Sequence, residues 1–255
     1  MLESLFGLFK KRDKNTKRGK ASRGKQPHAS SATGGGKART TTLQAKPKLE
    51  SPARPRVAPE RIGELGEYKI DVQLRQFPKD CRYVSDVMFP NARSKSGYSQ
   101  IDHILITPVG VFVIETKNYA GRIKGRRGDK YWRVNGKFNM YNPLRQNYGH
   151  IKVLSGVLTE FRDLKFISVV SFTKRCELYI DNELRDVKSD ELVVADIKLT
   201  EMIERKMMRL KATAESPPLT ETEVDRIVEI ISTKNITDVE IRAEHVEKIN
   251  ASTRV

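Results

Sequence analysis

The chain has 255 residues, of which 38% are hydrophobic and 31% are charged, and its formal net charge is +16. This length allows one sizeable domain plus appendages, and the polar composition indicates that part of the chain does not fold. Two cysteines without a C-x-x-C motif, and no apolar run near the roughly 18 to 20 residues of a membrane span, argue against a disulfide scaffold, a zinc module and a transmembrane protein, so we expect a cytoplasmic location.

The positive charge is concentrated at the N-terminus. Residues 1–62 hold 16 Lys/Arg and 4 Asp/Glu, a net charge of +12, which leaves +4 for the remainder. We predict that residues 1–60 are a disordered basic tail that either tethers the protein to nucleic acid or a membrane, or acts as a solubilising spacer. Its short apolar start, Leu2–Phe9, is more typical of a frayed or short docking segment; because basic residues follow it, a weak membrane-surface contact through residues 1–25 is the alternative.

Order is expected from residue 61 onward. Helical spacing predicts a first helix over Gly63–Phe77, and Glu67 lies on its apolar face, where an unpaired carboxylate would be costly. Alternating or continuous apolar runs then predict a series of strands, at Arg82–Phe89, Gln100–Thr107, Val111–Lys117, around Ile123, Tyr131–Val134, Lys137–Phe138, Phe166–Phe172 and Leu178–Ile180.

Helix signals complete the chain. Asn142 and Pro143 predict the N-cap and first residue of a helix, and Thr220-x-x-Glu223 predicts a capping box. A last amphipathic helix is expected over about Asp238–Ile249. We therefore divide the chain into the tail, a domain over 61–185 and a helical C-terminal extension over 186–255 that packs on the core.

The chemistry is expected in the hairpin formed by the second and third strands. Glu115 and Lys117 point to the same face because side chains alternate along a strand. If Thr107 pairs with Gly110 across a two-residue loop, Asp102 stands opposite Glu115, where two carboxylates repel each other unless a cation or a shared proton intervenes. Oxygen ligands of this kind suit Mg²⁺.

Two alternatives remain open at this point. A type I turn with a bulge at Gly110 would shift the pairing by one residue and turn Asp102 away from Glu115. The second alternative is that the acids are ordinary strand charges paired with Lys or Arg. The burial expected for the third strand, and the third acid at Glu67, favour a site.

These residues resemble a known family. Gly66-Glu67, the segments 100–104 and 108–118, Gly121, Trp132 and Asn142-Pro143-x-x-Gln146 resemble the nuclease-related domain, NERD, from about Ile62 to Phe172. The family is assigned to the PD-(D/E)xK nuclease superfamily. The resemblance implies an α/β, restriction-endonuclease-like core with a mixed central sheet flanked by helices, and Mg²⁺- or Mn²⁺-dependent phosphodiester cleavage.

Matching positions imply the roles of single residues. Asp102, Glu115 and Glu67 correspond to metal-binding acids, and Lys117 corresponds to the catalytic lysine. Gln146 lies in the first turn of the next helix, where some exonuclease branches have Gln-x-x-x-Tyr; this chain has His150 in place of the tyrosine. It also lacks a Pro-Asp dipeptide before the E-x-K, since its acid lies in Ile-Asp-His.

A basic cluster follows the E-x-K motif. Arg122 and Lys124 are candidate contacts to substrate phosphates, with Tyr119 and Trp132 nearby for base stacking; a solvated loop is the alternative, and Trp132 alone is more typical of a core residue. His103 is expected on the opposite face in a structural role. The leading function is a Mg²⁺-dependent deoxyribonuclease, and the rival is an inactive nucleic-acid-binding or adaptor module tethered by the basic tail.

Overall fold

The computed structural model describes residues 59–214 and 218–253, so the predicted basic tail and its apolar start lie outside the described residues except for Pro59 and Glu60. Within these ranges, no helix combines the length and apolarity needed to cross a bilayer. The helices are α1 Pro59–Leu74, α2 Pro143–Val157, α3 Leu199–Ala212, α4 Glu221–Lys234 and α5 Val239–Thr253. The strands are β1 Arg82–Pro90, β2 Tyr98–Thr107, β3 Gly110–Lys117, β4 Gly121–Lys124, β5 Tyr131–Val134, β6 Phe138–Tyr141, β7 Phe166–Phe172, β8 Cys176–Tyr179 and β9 Glu191–Ala195.

A mixed five-stranded sheet forms the centre of the fold. Its strand order is β1-β2-β3-β7-β9, in which β1, β2 and β3 pair antiparallel and β3, β7 and β9 pair parallel. All residues of β3 are buried, as expected for an apolar strand covered on both faces. The predicted α/β class with a mixed central sheet is confirmed.

The turn between β2 and β3 sets the register of the predicted hairpin. Thr107 pairs with Gly110, so the two-residue loop is confirmed and the bulged alternative is wrong. The Thr107 hydroxyl donates a hydrogen bond to the Gly110 carbonyl at 2.8 Å. Gly110 has a φ of +143°, and a Cβ there would lie 2.8 Å from the Lys165 carbonyl, so this position requires glycine.

Helices cover both faces of the central sheet. On one face, α1 and α3 pack against Leu105, Phe112 and Ile114. On the other face, α2 and α4 pack against Ile104, Ile106 and the odd-numbered residues of β3. The site residues Glu115 and Lys117 continue this second, α2-facing row at the carboxyl end of β3.

A smaller four-stranded sheet packs beside the carboxyl ends of β3 and β7. Its order is β6-β5-β4-β8. Its inner face is apolar, with Trp132 fully buried and stacked on Phe172 at a ring-centroid distance of 6.1 Å. Asn135 and Gly136 form the turn between β5 and β6, and both have the positive φ (53° and 65°) that a type I′ turn requires.

Helix starts follow their sequence signals. The Asn142 side chain accepts a hydrogen bond from the backbone N–H of Leu144 at 2.9 Å and caps α2. Both reciprocal bonds of the Thr220–Glu223 capping box are present ahead of α4. The segment 186–255 holds more than the predicted helices, because it also contributes β9, the edge strand beside β7.

Candidate active site

The candidate acids Asp102 and Glu115 lie where the regular pairing of the hairpin ends. Regular pairing between β2 and β3 extends to His103 and Ile114, so the next positions in register are Asp102 and Glu115. Asp102 leaves the regular ladder there, since its carboxylate accepts a hydrogen bond from the backbone N–H of Thr116 at 2.7 Å. On the other side of β2, Asp86 adopts a φ of +53°, which marks a local strand distortion beside Asp102.

Glu115 and Lys117 form a buried ion pair. Lys117 Nζ lies 2.5 Å from Glu115 Oε1, and the two residues are 9% and 2% exposed. Gln146 contacts both groups: its amide nitrogen donates to Glu115 Oε1 at 2.8 Å, and its amide oxygen accepts from Lys117 Nζ at 3.0 Å. Burial makes these charge-assisted hydrogen bonds strong, so Gln146 fixes the positions of both charged groups.

His150, one helical turn beyond Gln146, lines the other side of Glu115. Its Nε2 lies 3.3 Å from Glu115 Oε2, and its Nδ1 lies 2.7 Å from the Ser99 hydroxyl. Apart from this imidazole, Glu115 Oε2 has no partner in the described part of the chain, although it is fully buried. Because a carboxylate oxygen can accept more than one contact, Oε2 has room for a ligand beside His150.

The charges of the cluster act strongly on one another. Burial, followed by the negative charges of Glu115 and Glu67, raises the pKa of Asp102 well above its usual value. Burial would also raise the pKa of Glu115, but the neighbouring Lys117 and His150 outweigh that effect and lower it. The carboxylates therefore repel one another through a poorly hydrated space, and a cation placed among them would relieve that repulsion.

Glu67 reaches this cluster from α1. The preceding Gly66 lies against the third strand, since a Cβ built on it would be 3.5 Å from the Thr116 methyl and 3.3 Å from the Asn118 amide. This close approach brings the half-buried Glu67 near the carboxyl end of β3, where its charge acts on Asp102. Four predicted site residues, Asp102, Glu115, Lys117 and Glu67, are thus brought to one end of the sheet.

The donor set fits a hard divalent cation. Among the described residues, no three acidic, histidine or cysteine side chains stand in an arrangement that could hold a metal ion. Mg²⁺, however, keeps several waters and takes only one or two protein carboxylates. Asp102 and Glu115, whose Oε2 is contacted only by His150 among the described residues, meet that smaller requirement, and Glu67 lies near enough to contribute through water.

The other predicted contacts lie apart from this cluster. Arg122 and Lys124 are exposed on β4 of the second sheet, and Arg122 lies 3.8 Å from Glu177. Trp132 is buried and cannot stack on a base from solvent. His103 lies on the face away from Glu115, where its Nδ1 is 2.9 Å from the Ser85 hydroxyl, which in turn contacts Asp71.

Two residues that support the site carry no recognisable sequence signal. Ser99 orients His150, and the fully buried Asn147 joins α2 to the sheet by donating to the Val113 carbonyl at 2.8 Å and the Ser168 hydroxyl at 2.9 Å. Each of these contacts joins residues at least 21 positions apart in the sequence. Spacing along the chain therefore could not have revealed them.

A mixed sheet whose central hairpin ends in an acid and an E-x-K motif is consistent with a nuclease-like core. Residues 62–173 match the model of the nuclease-related domain, NERD. The chain is also 33% identical over 198 residues to an uncharacterized protein of Bacillus anthracis, covering 75% of this chain and 85% of that protein. This chain belongs to the NERD family. No solved structure gives a significant match.

Proposed function

We propose that this chain is a divalent-metal-dependent nuclease that hydrolyses phosphodiester bonds in DNA. The observation that carries the proposal is the cluster at the end of the hairpin. A buried carboxylate with one oxygen contacted only by His150 among the described residues, a second carboxylate beside it and a lysine in contact lie together in a chain of a nuclease-related family. Perturbed carboxylates converging on one point are typical of functional sites.

The carboxylates are assigned to metal binding. Asp102 and Glu115 would hold Mg²⁺ or Mn²⁺, and Glu67 would support it directly or through water. A bound divalent cation supplies charge that neutralises a phosphate and makes a coordinated water more acidic. Burial is the main cause of the raised pKa of Asp102, and the charges of Glu115 and Glu67 add to it; a cation would offset this second contribution, which supports the assignment.

Lys117 is assigned to the reacting water and phosphate. Its ammonium is held by Glu115 and Gln146, so it is fixed in place before any substrate arrives. From there it can orient the attacking water or stabilise the charge that develops on the phosphate. Gln146 is a positioning residue in this scheme, because it bonds both members of the pair.

Cleavage by the full-length protein tests the proposal. Labelled single-stranded and duplex DNA and RNA are incubated with Mg²⁺, Mn²⁺ or EDTA, and products are separated on denaturing gels. We expect metal-dependent cleavage that Lys117→Ala reduces by at least about a hundredfold, in line with the loss of one charge-stabilising group. Lys152→Ala, which removes an exposed lysine of α2, is the matched control and should cleave as the wild type does.

Nucleic-acid binding measured in EDTA separates catalysis from affinity. Lys117→Ala should bind DNA nearly as well as the wild type, because the lysine is buried and paired. A wild-type protein that cuts none of these substrates with either metal would refute the nuclease proposal. If it still bound nucleic acid, the chain would be the inactive binding module that the sequence left open.

A further inference from the structure

We propose that the outer face of the second sheet binds single-stranded nucleic acid. This outer face consists of the exposed residues of the four strands of the second sheet. Along each strand they alternate with buried or half-buried residues that point to the inner, apolar face. Apart from Gly121 at the start of β4, the outward residues are Arg122 and Lys124 on β4, Tyr131 and Arg133 on β5, Asn139 and Tyr141 on β6, and Glu177 and Tyr179 on β8.

Three tyrosine rings stand on this face. Tyr131 and Tyr141 are each 47% exposed and lie opposite each other on neighbouring strands, with ring centroids 6.1 Å apart. Tyr179 is 53% exposed and lies on β8, two strands away from Tyr131, or about 10 Å across the sheet. Exposed rings spaced in this way are what successive unpaired bases need for stacking.

Basic side chains lie between the rings. Lys124 pairs with Arg133 on one side and with Tyr179 on the other, so two cations and a ring form one row across the sheet. Arg122 is the third basic residue, and Glu177 is the one acidic residue among the outward positions of these strands. The face therefore offers positive charge for phosphates beside apolar rings for bases.

A surface cavity of about 490 Å³ opens in this region. It is lined by side chains of the outer face, Lys124, Tyr131, Arg133 and Tyr179, and by the adjoining loops. Its volume lies within the usual range of small-ligand sites, so a single base can enter it. Two acids, Asp129 and Asp181, also line it, and each accepts a hydrogen bond from a backbone N–H group, of Arg126 and of Arg127 respectively.

The chemistry favours a single strand over a duplex. In a duplex the bases are stacked on one another, so their faces are closed to tyrosine rings and only the phosphates remain accessible to the basic residues. Four-stranded sheets with exposed aromatic rings bind unpaired bases in this way in RNA-binding domains. A surface that worked by charge alone would need no rings and would bind duplex at least as well.

The outer face is joined to the candidate active site through the start of α2. The buried Asn142 side chain donates to the backbone carbonyls of Arg126, Arg127 and Asp129, which belong to the loop beside the cavity. Gln146, one helical turn or about 6 Å farther along α2, bonds Glu115. The inference that the outer face delivers a bound strand to this cluster rests on the proposed function. The inference that the outer face binds the strand does not.

The test is binding of fluorescein-labelled oligonucleotides to the full-length protein, measured by anisotropy in EDTA. The probes are dT20, rU20 and a 20-base-pair duplex at about 0.2 M salt, which weakens the contribution of charge. We expect either single strand to bind more tightly than the duplex. Tyr131→Ala and Tyr179→Ala should each weaken single-strand binding by about tenfold, and duplex binding much less.

Matched variants separate stacking from other effects. Tyr179→Phe keeps the ring and should bind as the wild type does, and Tyr148→Ala removes a tyrosine of similar exposure (57%) from α2 and should have no effect. The fluorescence of Trp132, the single tryptophan, reports whether the second sheet stays folded in each variant. Because all variants keep the basic tail, its contribution is the same whenever two variants are compared on one probe.

The outcomes distinguish this inference from the proposed nuclease activity. Equal binding of dT20 by folded Tyr131→Ala, Tyr179→Ala and wild-type protein would overturn the inference, as would tighter binding of the duplex. Either result would leave metal-dependent cleavage as a separate question. Conversely, a protein that failed to cleave but lost single-strand affinity in both alanine variants would support the outer face and refute the nuclease.

Discussion

Replacing Lys117 with methionine removes its ammonium but keeps most of its apolar stem. Glu115 would then be a carboxylate only 2% exposed, with the amide of Gln146 at 2.8 Å and Nε2 of His150 at 3.3 Å as its remaining partners. Loss of one partner of a buried ion pair costs about 3–5 kcal/mol, because the other charge is left uncompensated. Since Gln146 offsets part of this cost, we expect Lys117→Met to lower the free energy of unfolding by about 3 kcal/mol.

A double-mutant cycle shows whether this loss comes from the unpaired charge. Glu115→Gln with Lys117→Met removes both charges, and we expect its free energy of unfolding to lie within about 1 kcal/mol of the wild type. Lys152→Met, at an exposed position of α2, should change it by less than about 0.5 kcal/mol. Urea unfolding at pH 7, followed by the fluorescence of Trp132, measures five proteins: the wild type, Lys117→Met, Glu115→Gln, the double variant and the Lys152→Met control.

Two results would contradict this reasoning. If Lys117→Met were as stable as the wild type, Glu115 would be hydrated or protonated, and the tight ion pair would not describe the protein in solution. If the double variant lost the sum of the two single losses, the residues would act independently, and the buried pair would carry no coupling.

Three further predictions concern the framework around the site. Asn142→Ala should lower the free energy of unfolding by about 2 kcal/mol, because it removes the helix cap and the hydrogen bonds from its amide to the loop carbonyls, of which those of Arg126 and Asp129 keep a second donor, whereas Asn142→Ser keeps a cap acceptor and should lose less; equal urea midpoints would contradict this. Thr220→Ala should cost about 1 kcal/mol and Thr220→Ser much less, and a cap that did not matter would leave the thermal midpoint unchanged. Burial raises the pKa of Cys81 to about 12, so its thiol should resist iodoacetamide at pH 8.5 until urea unfolds the chain; rapid labelling of the native protein, seen by mass spectrometry, would count against its burial.

Local patterns were sufficient to predict the core of the site. The continuous apolar run of β3 indicated a central strand, and alternation placed Glu115 and Lys117 on one face. The hairpin had two possible registers because Thr-Pro-Val-Gly suits two turn types. In the structure the Thr107 hydroxyl donates to the Gly110 carbonyl across the two-residue loop, which decides between them. The carbonyl of Lys165 leaves no room for a side chain at Gly110.

Contacts between distant segments could not be predicted. Gln146 reaches Glu115 from 31 residues away, and Ser99 reaches His150 across 51 residues, so neither pairing follows from sequence spacing. Tyr119 and Trp132 were the candidates for base stacking, and Trp132 is buried, as is more typical of a lone tryptophan. Tyr131 and Tyr179 come to lie on one exposed face only when their strands join the second sheet, in which the side chains of each strand alternate between the two faces.

Binding of Mn²⁺ to the full-length protein tests most directly whether Asp102 and Glu115 form a metal site. The electron paramagnetic resonance signal of free Mn²⁺, followed as protein is added without nucleic acid, gives the number and affinity of bound ions. We expect one site in the wild type that is lost in Asp102→Asn and in Glu115→Gln but kept in Glu177→Gln, an exposed carboxylate of the second sheet. A wild type that binds no Mn²⁺, or variants that bind it equally well, would contradict the proposed metal centre.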